Sequence, residues 1–254
     1  MGILDLFSKQ GRSERARASN IKGALNKYAQ SADRFRNLQG LRDDGSDEAL
    51  YGLLRRFGMM YDKTIEDEQE KEWVFEVLAD KGVAILPALK KYMREADSIA
   101  WPLRLLDKVA DREVELATLQ EILERHEPGY ERDPTKKIQL LTHLAELKDK
   151  RVPALAAPYL ADMDEGVRYA AAEALLRTGE EANVAGPLLE QLTKPEEDSL
   201  RIRLRISEGF AENGWTVPAE RREAVVKFLP DAFKLAQPKG ASKVDKVDRK
   251  NPAQ

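Results

Sequence analysis

The clearest alternation of apolar and polar positions in the chain lies between residues 164 and 192. Its apolar residues recur at intervals of three and four, as they do on one buried face of an α-helix. These residues are Val167, Ala170, Ala171, Ala174 and Leu175. A second stripe follows at Val184, Leu188 and Leu192, so the pattern predicts two helices in succession. Because three residues of the first stripe are alanines, we expect another helix to approach this face closely.

The ends of the first of these helices carry signals of their own. Asp164 is a good N-cap, since its carboxylate can accept hydrogen bonds from the unpaired amides of a first helical turn. Gly179 lies where the helix must stop, and glycine adopts the left-handed conformation of a C-terminal cap at the lowest cost. A helical pair of this kind cannot bury its apolar surface alone, so the pattern predicts neighbours of the same kind.

Weaker copies of the unit occur on both sides of it. Three other glycines align with Gly179, and each has a basic residue eleven positions earlier, as Gly179 has Arg168. The aligned pairs are Arg34 with Gly45, Lys71 with Gly82, and Arg203 with Gly214. Units therefore begin near residues 31, 70, 98, 134, 164 and 198, at intervals of about 30–40 residues, as in helical-repeat proteins.

Acidic Asp164 and Asp198 precede the basic residues Arg168 and Arg203, and residues 171–179 follow the pattern A-x-x-A-L-x-x-x-G. This combination resembles HEAT repeats. The resemblance implies an all-α fold, a right-handed α-solenoid (superhelix) of about six HEAT-like helical pairs over residues 31–233. It also implies that the arginines bond acidic or carbonyl groups of an adjacent repeat. The function it implies is that of a non-catalytic adaptor or scaffold that binds another protein.

The two ends of the chain differ from the repeats. Residues 1–36 contain eight basic and three acidic residues, and we interpret residues 1–30 as a basic helix that caps the first repeat. The apolar residues 1–7 leave open a peripheral attachment to a membrane surface. Residues 234–254 lack an apolar stripe and are interpreted as a flexible polar tail.

Composition narrows the classes of function. The chain has no cysteine and two histidines, so thiolate and histidine-rich zinc sites are excluded, and no cofactor is expected. No phosphate-binding or nucleophile motif is present, and the prediction is that the protein is not an enzyme. The net charge of −3 disfavours attraction of the whole protein to nucleic acid. The absence of a long apolar run favours a soluble, cytoplasmic protein.

Six carboxylates lie between residues 62 and 72. They fit either a metal or acid–base site, or the solvated first turn of a helix, where acidic residues favour the helix dipole. We favour the solvated turn, because a helix start alone accounts for the composition.

The candidate partner-binding residues belong to the least regular parts of the repeat pattern. They are Trp101, Tyr130, Arg132, Lys136 and Lys137. The two lysines stand at a helix start, where cations are mildly unfavourable, and such placement points to binding. Aromatic and arginine residues are common anchors of protein interfaces. The partner's identity and the oligomeric state stay open. Another alternative is a nucleic-acid-binding protein that resembles the alkylpurine DNA glycosylases, whose repeats are also HEAT-like.

Overall fold

The computed structural model describes residues 9–60, 63–236 and 242–247. Within these ranges the chain is predominantly helical, as the sequence predicts, and has thirteen α-helices. They are α1 (Lys9–Ala24), α2 (Ser31–Asp44), α3 (Asp47–Leu54), α4 (Thr64–Ala79), α5 (Leu86–Glu95), α6 (Ala100–Val109), α7 (Arg112–Leu123), α8 (Thr135–Leu147), α9 (Val152–Ala156), α10 (Glu165–Thr178), α11 (Glu181–Thr193), α12 (Leu200–Asn213) and α13 (Arg222–Phe228). Four short 3₁₀ helices lie between them, at Arg55–Gly58, Gly82–Ile85, Ala157–Ala161 and Ala219–Arg221.

The chain divides into two compact units, Met1–Ile122 and Leu123–Gln254. In the first unit, α1 packs against α2 and α3, and α3 packs against α5. The apolar face of α2 is buried through Leu38 and Leu41, and that of α3 through Leu50 and Leu53. These pairs are three residues apart, which places both members of each pair on one side of their helix.

The first unit also buries a group of charged side chains, which we call the charged cluster: Arg34, Arg56, Asp67, Glu70 and Lys71. Glu70 accepts hydrogen bonds from Arg34 and Arg56, each at 3.0 Å. Asp67 accepts from Arg56 and from Lys71, each at 2.6 Å. The prediction of a solvated acidic turn is therefore wrong for Asp67 and Glu70, because cations from α2 and from residues 55–58 reach them. Among the described residues, no group of histidines and carboxylates is arranged to hold a metal ion.

Helix α10 is central to the second unit and packs against α8, α9 and α12. Its predicted apolar face is confirmed, since Val167, Ala171, Ala174 and Leu175 are all fully buried. The predicted N-cap is confirmed as well, because the Asp164 carboxylate accepts the amide of Val167 at 3.1 Å. The stripe predicted for α11 is also buried.

The end of α10 departs from the prediction. Gly179 follows the helix but is extended (φ −92°, ψ 155°), so the expected left-handed conformation is wrong. A Cβ at Gly179 would lie 2.1 Å from Val184 Cγ1 and 2.7 Å from the Leu175 carbonyl oxygen. Glycine is needed there because α11 turns back closely, and not because of a positive φ. The left-handed conformation does occur at Gly45 and Gly214, which cap α2 and α12.

A small sheet closes the second unit. Strands β1 (Thr216–Val217), β2 (Phe233–Ala236) and β3 (Ser242–Lys246) pair antiparallel in the order β1-β3-β2, and β3 packs against α12. Val244 is buried between its more exposed neighbours, as expected of a strand with one covered face. The segment predicted to be a flexible tail thus contains regular structure at residues 234–236 and 242–246, while residues 248–254 lie outside the described ranges.

Candidate functional site

Three loops of the second unit, each preceding a helix, form the candidate site. They are residues 127–133 before α8, residues 162–164 before α10 and residues 194–199 before α12. We call them together the loop edge. Two buried ion pairs join them, and each ion pair connects two consecutive loops.

The first ion pair is Lys137–Asp162, and both side chains are fully buried. The Lys137 ammonium lies 2.7 Å from Asp162 Oδ2 and donates to the Gly129 carbonyl at 2.9 Å. The Gly129 amide in turn donates to Asp162 Oδ2 at 3.0 Å. The loop before α8 is therefore held against the loop before α10 by three hydrogen bonds among the Lys137 ammonium, the Gly129 backbone and the Asp162 carboxylate.

The second ion pair is Arg168–Glu197. The Arg168 guanidinium donates to both carboxylate oxygens of Glu197, at 2.8 and 3.0 Å. Its remaining nitrogen donates to the carbonyls of Asp162 and Met163, at 3.1 and 3.0 Å. Burial of Glu197 raises its pKa, but the bonds from Arg168 and from the Ser199 amide outweigh this and hold the pKa below its usual range. The carboxylate stays charged, so the loop before α12 stays attached to the loop before α10.

A third cation occupies the corresponding place on α12. Arg203 donates to the Lys194 carbonyl at 3.1 Å, and its guanidinium lies 4.8 Å from the ring centre of Phe228. Its Nε is buried and has no hydrogen-bond partner among the described residues. Arg168 and Arg203 thus make the carbonyl contacts expected of them, while their predicted place in a repeat stack stays a prediction.

The loop edge presents two large exposed side chains. Tyr130 is 79% exposed and Met163 is 70% exposed. Tyr130 follows Gly129, whose amide donates to Asp162 Oδ2. Met163 follows Asp162 itself, whose carboxylate is also held by Lys137. Aromatic residues and methionine are enriched in protein interfaces. The loop edge therefore offers apolar surface on a backbone that is already fixed.

A groove continues from the loop edge along α11. Its apolar end is a cavity of about 470 Å³ between α11 and the 3₁₀ helix Ala157–Ala161. Its acidic end is a cavity of about 410 Å³ that includes Met163 in its wall. Gln191 and Lys194 line both cavities, so the two cavities are neighbours.

The structure separates the five predicted partner-binding residues. Tyr130 and Arg132 are exposed on the loop edge. Lys136 and Lys137 are buried, so the prediction that they contact a partner is wrong. Lys137 stands at the start of α8 because it binds Asp162, which is twenty-five residues further along the chain.

Trp101 lies in the first unit, half-buried, and its ring is stacked on Phe57 with 5.5 Å between ring centres. The Arg104 guanidinium covers it at 4.2 Å from the ring centre. Trp101 is therefore packed among its neighbours in α4–α6 and in residues 55–58. The expectation that Trp101 binds a partner stays a prediction.

The repeat alignment also paired Arg34 and Lys71 with Arg168. Arg34 behaves like Arg168, since it donates to the Ala29 carbonyl before its own helix and to Glu70 on a later helix. Lys71 instead pairs with Asp67 on its own helix. The glycine Gly82, with φ 54°, follows α4 and begins a 3₁₀ helix. Met163, Asp162 and Glu197 were not predicted; an acid before each helix start is the signal that identifies the last two.

Neither a family model nor a curated protein matches this sequence. Across the described ranges, no helix combines the length and the apolar character needed to cross a membrane. The predicted membrane-surface segment, residues 1–7, lies outside the described residues.

Proposed function

We propose that this chain is a non-catalytic interaction module, an adaptor or scaffold built from about six HEAT-like helical pairs in a right-handed solenoid. The proposal rests on the succession of helices along the chain and on the cations at Arg34, Arg168 and Arg203, which contact the loop before their own helix. Helical-repeat proteins commonly use insertions and loops on one edge for binding.

The partner of this module is a protein, and it binds at the loop edge. The single observation that carries this proposal is that two loops, joined by bonds to Asp162, expose Tyr130 on one and Met163 on the other. Ordering a loop on binding costs free energy, and a loop that is already held by Lys137 and Asp162 avoids that cost. Large apolar side chains on such a loop gain affinity by being covered.

Nucleic-acid binding is the weaker alternative. Of the three cations among the predicted binding residues, Lys136 and Lys137 are buried and Arg132 is exposed, so one of the three can reach a phosphate. The acidic end of the groove beside the loop edge is lined by five carboxylates and two cations, and its net negative charge repels phosphate.

Site-specific photocrosslinking tests the proposal. A benzophenone amino acid replaces Tyr130 in one sample and Met163 in another, in the cells that naturally make the protein. A matched control places it at Tyr28, which is 85% exposed but belongs to the first unit. We expect positions 130 and 163 to crosslink the same protein and position 28 not to crosslink it.

A second arm separates a protein partner from nucleic acid. Labelled single- and double-stranded DNA and RNA are titrated with the purified protein at several salt concentrations. We expect no binding; binding that weakens steeply as salt rises would instead favour phosphate contacts. Different crosslinked proteins at positions 130 and 163, or none at either, would contradict the proposed function.

A further inference from the structure

The groove that extends from the loop edge is chemically asymmetric. Six of the ten residues that line its apolar end are alanines, prolines and a leucine, and the other four are polar or charged residues of α11 and the next loop. The six are Ala157, Pro158, Leu160, Ala161, Pro187 and Pro195. Small and cyclic side chains leave a shallow trough into which an apolar side chain fits.

The acidic end of the groove carries an excess of negative charge. Five carboxylates and two cations line this cavity. Asp162 and Glu197 are committed to the buried ion pairs, whereas Glu196 is exposed and the Asp198 side chain is 95% exposed. Arg168 is bound to Glu197, and Lys194 is the other cation, so three more negative than positive groups line the cavity and its potential is negative.

The walls of the groove are held in place before any ligand arrives. Gln191 on α11 donates to Glu197, which also accepts from Arg168 and from the Ser199 amide. Tyr159, on the 3₁₀ helix, donates to the Leu123 and His126 carbonyls, each at 3.0 Å. A preformed groove spends little free energy on ordering, so a short segment can bind it.

We propose that the groove binds a segment of a partner protein in which an apolar side chain lies close in sequence to a lysine or an arginine. The apolar side chain occupies the alanine- and proline-lined end, and the cation faces Glu196 and Asp198. An acidic segment would meet like charge at the second end, which disfavours it. This inference rests on the proposed function, because it names the chemistry of the partner that the loop edge receives.

Selection from a phage-displayed library of random peptides tests this inference without assuming a partner. The full-length protein is the bait, and selected sequences are made as labelled peptides for fluorescence anisotropy. We expect the selected peptides to combine an apolar residue with a nearby lysine or arginine, and their affinity to fall as salt rises, since charge attraction is screened.

Two variants locate the binding site. Glu196→Lys with Asp198→Lys should weaken binding of a selected peptide about tenfold, because the attraction becomes a repulsion. Its matched control, Glu220→Lys with Glu223→Lys, reverses the charge of two exposed side chains of the same unit that lie outside the groove. This control should leave the affinity for the peptide unchanged.

The second variant fills the apolar end. Ala161→Trp adds a large ring at an exposed position in the wall, and should also weaken binding about tenfold, because it occupies the space of the apolar side chain. Its matched control is Ala182→Trp, at an exposed position of α11 outside the groove. Circular dichroism and thermal melting of all four variants establish that each is folded.

Three results would overturn the proposal: selection of acidic peptides, no enrichment above an unrelated bait, or binding that neither variant affects. These results are distinct from a failure of the proposed function. If a single protein still crosslinks at positions 130 and 163, the loop edge remains a protein-binding surface while the chemistry assigned to the groove is wrong.

Discussion

In the first unit, three buried cations share two carboxylates, whereas in the second unit Lys137 and Arg168 each have a buried carboxylate of their own. The two arrangements place charge inside the protein by different means. In the first, the members depend on each other, because Arg56 contacts both acids. In the second, each buried acid has one cation as its partner, and the partly exposed Glu131 also lies 3.7 Å from the Lys137 ammonium.

This difference determines what a single substitution does. Removing one partner of a buried ion pair leaves the other charge without compensation, which is costly, whereas replacing both partners by apolar residues often costs little. In the charged cluster, replacing one cation and one acid by apolar residues still removes an acid that another cation needs. In the second unit, both partners of an ion pair can be replaced together, and substitutions can test this difference.

The largest effect is expected for Glu70→Gln. The glutamine amide oxygen can still accept a hydrogen bond, but Arg34 and Arg56 lose the negative charge that they share, and we expect the first unit to lose about 4 kcal/mol of unfolding free energy. Urea denaturation in a Trp215→Phe background measures this, because the remaining tryptophans, Trp73 and Trp101, belong to the first unit.

The control for Glu70→Gln is Asp33→Asn, which breaks the exposed pair between Asp33 and Arg36 on α2. Exposed pairs contribute little, so a change below about 0.5 kcal/mol is expected. Equal losses for the buried and the exposed acid would show that the charged cluster does not hold the first unit together.

A somewhat smaller effect is expected for Asp162→Asn, about 3 kcal/mol, because one buried cation, Lys137, loses its buried counter-charge and keeps only the partly exposed Glu131, 3.7 Å away. The loop before α8 should also loosen, since the Gly129 amide loses a charged acceptor. Urea denaturation followed by Trp215 fluorescence measures the stability of the second unit. Hydrogen exchange measures the loop, and unchanged protection of the Gly129 amide would contradict the role assigned to the ion pair.

Acid should weaken the second unit in a defined direction. Burial raises the pKa of Glu197 and of Glu173, but hydrogen bonds from Arg168 and Arg205 respectively hold both below the usual value of 4.5. A lowered pKa in the folded state adds stability above pH 4.5, and this stability is lost as the pH falls through the lowered pKa. Urea denaturation at a series of pH values checks this, and Glu197→Gln should flatten the dependence below pH 4.5. If the stability of that variant depends more steeply on pH than the stability of the parent protein, Glu197 is not a source of the acid sensitivity.

The smallest effect is expected when a separate pair is replaced as a whole. Lys137→Met with Asp162→Leu should cost about 1 kcal/mol, less than Asp162→Asn alone, because no buried charge remains. The same replacement in the cluster, Arg34→Met with Glu70→Leu, should not recover stability, since Arg56 loses one of its two carboxylates and must share the other, Asp67, with Lys71. If both double replacements restore the unfolding free energy equally, relative to the single substitutions, the charged cluster and the ion pairs of the second unit do not differ in this respect.

The sequence predicts the helices of the second unit well because their signals are local. The spacing of Val167 to Leu175 and the cap at Asp164 depend on residues within a few turns, and both are confirmed. The burial of Lys137 could not be predicted in this way, because its partner Asp162 is far along the chain. The conformation of Gly179 depends on the return of Val184, which is a property of packing between helices.

The sheet and the candidate site show the same limit. The alternation around Val244 is short, and it becomes a strand only when Phe233–Ala236 pairs with it. Tyr130 was predicted as an exposed aromatic residue of an insertion, and it is exposed. The groove could not be predicted, because its walls come from a 3₁₀ helix, from α11 and from two loops that are separated in sequence.

The ion pairs of the second unit also have a consequence for how the sequence evolves. Lys137 precedes Asp162 by twenty-five residues, and Arg168 precedes Glu197 by twenty-nine. A mutation at one position of such a pair is tolerated best when the other position mutates too, so in related genes we expect the two positions to covary. A basic residue early in a helix, followed at this interval by an acid before a later helix, therefore gives a pattern with which distant homologues can be sought when overall similarity has been erased by divergence.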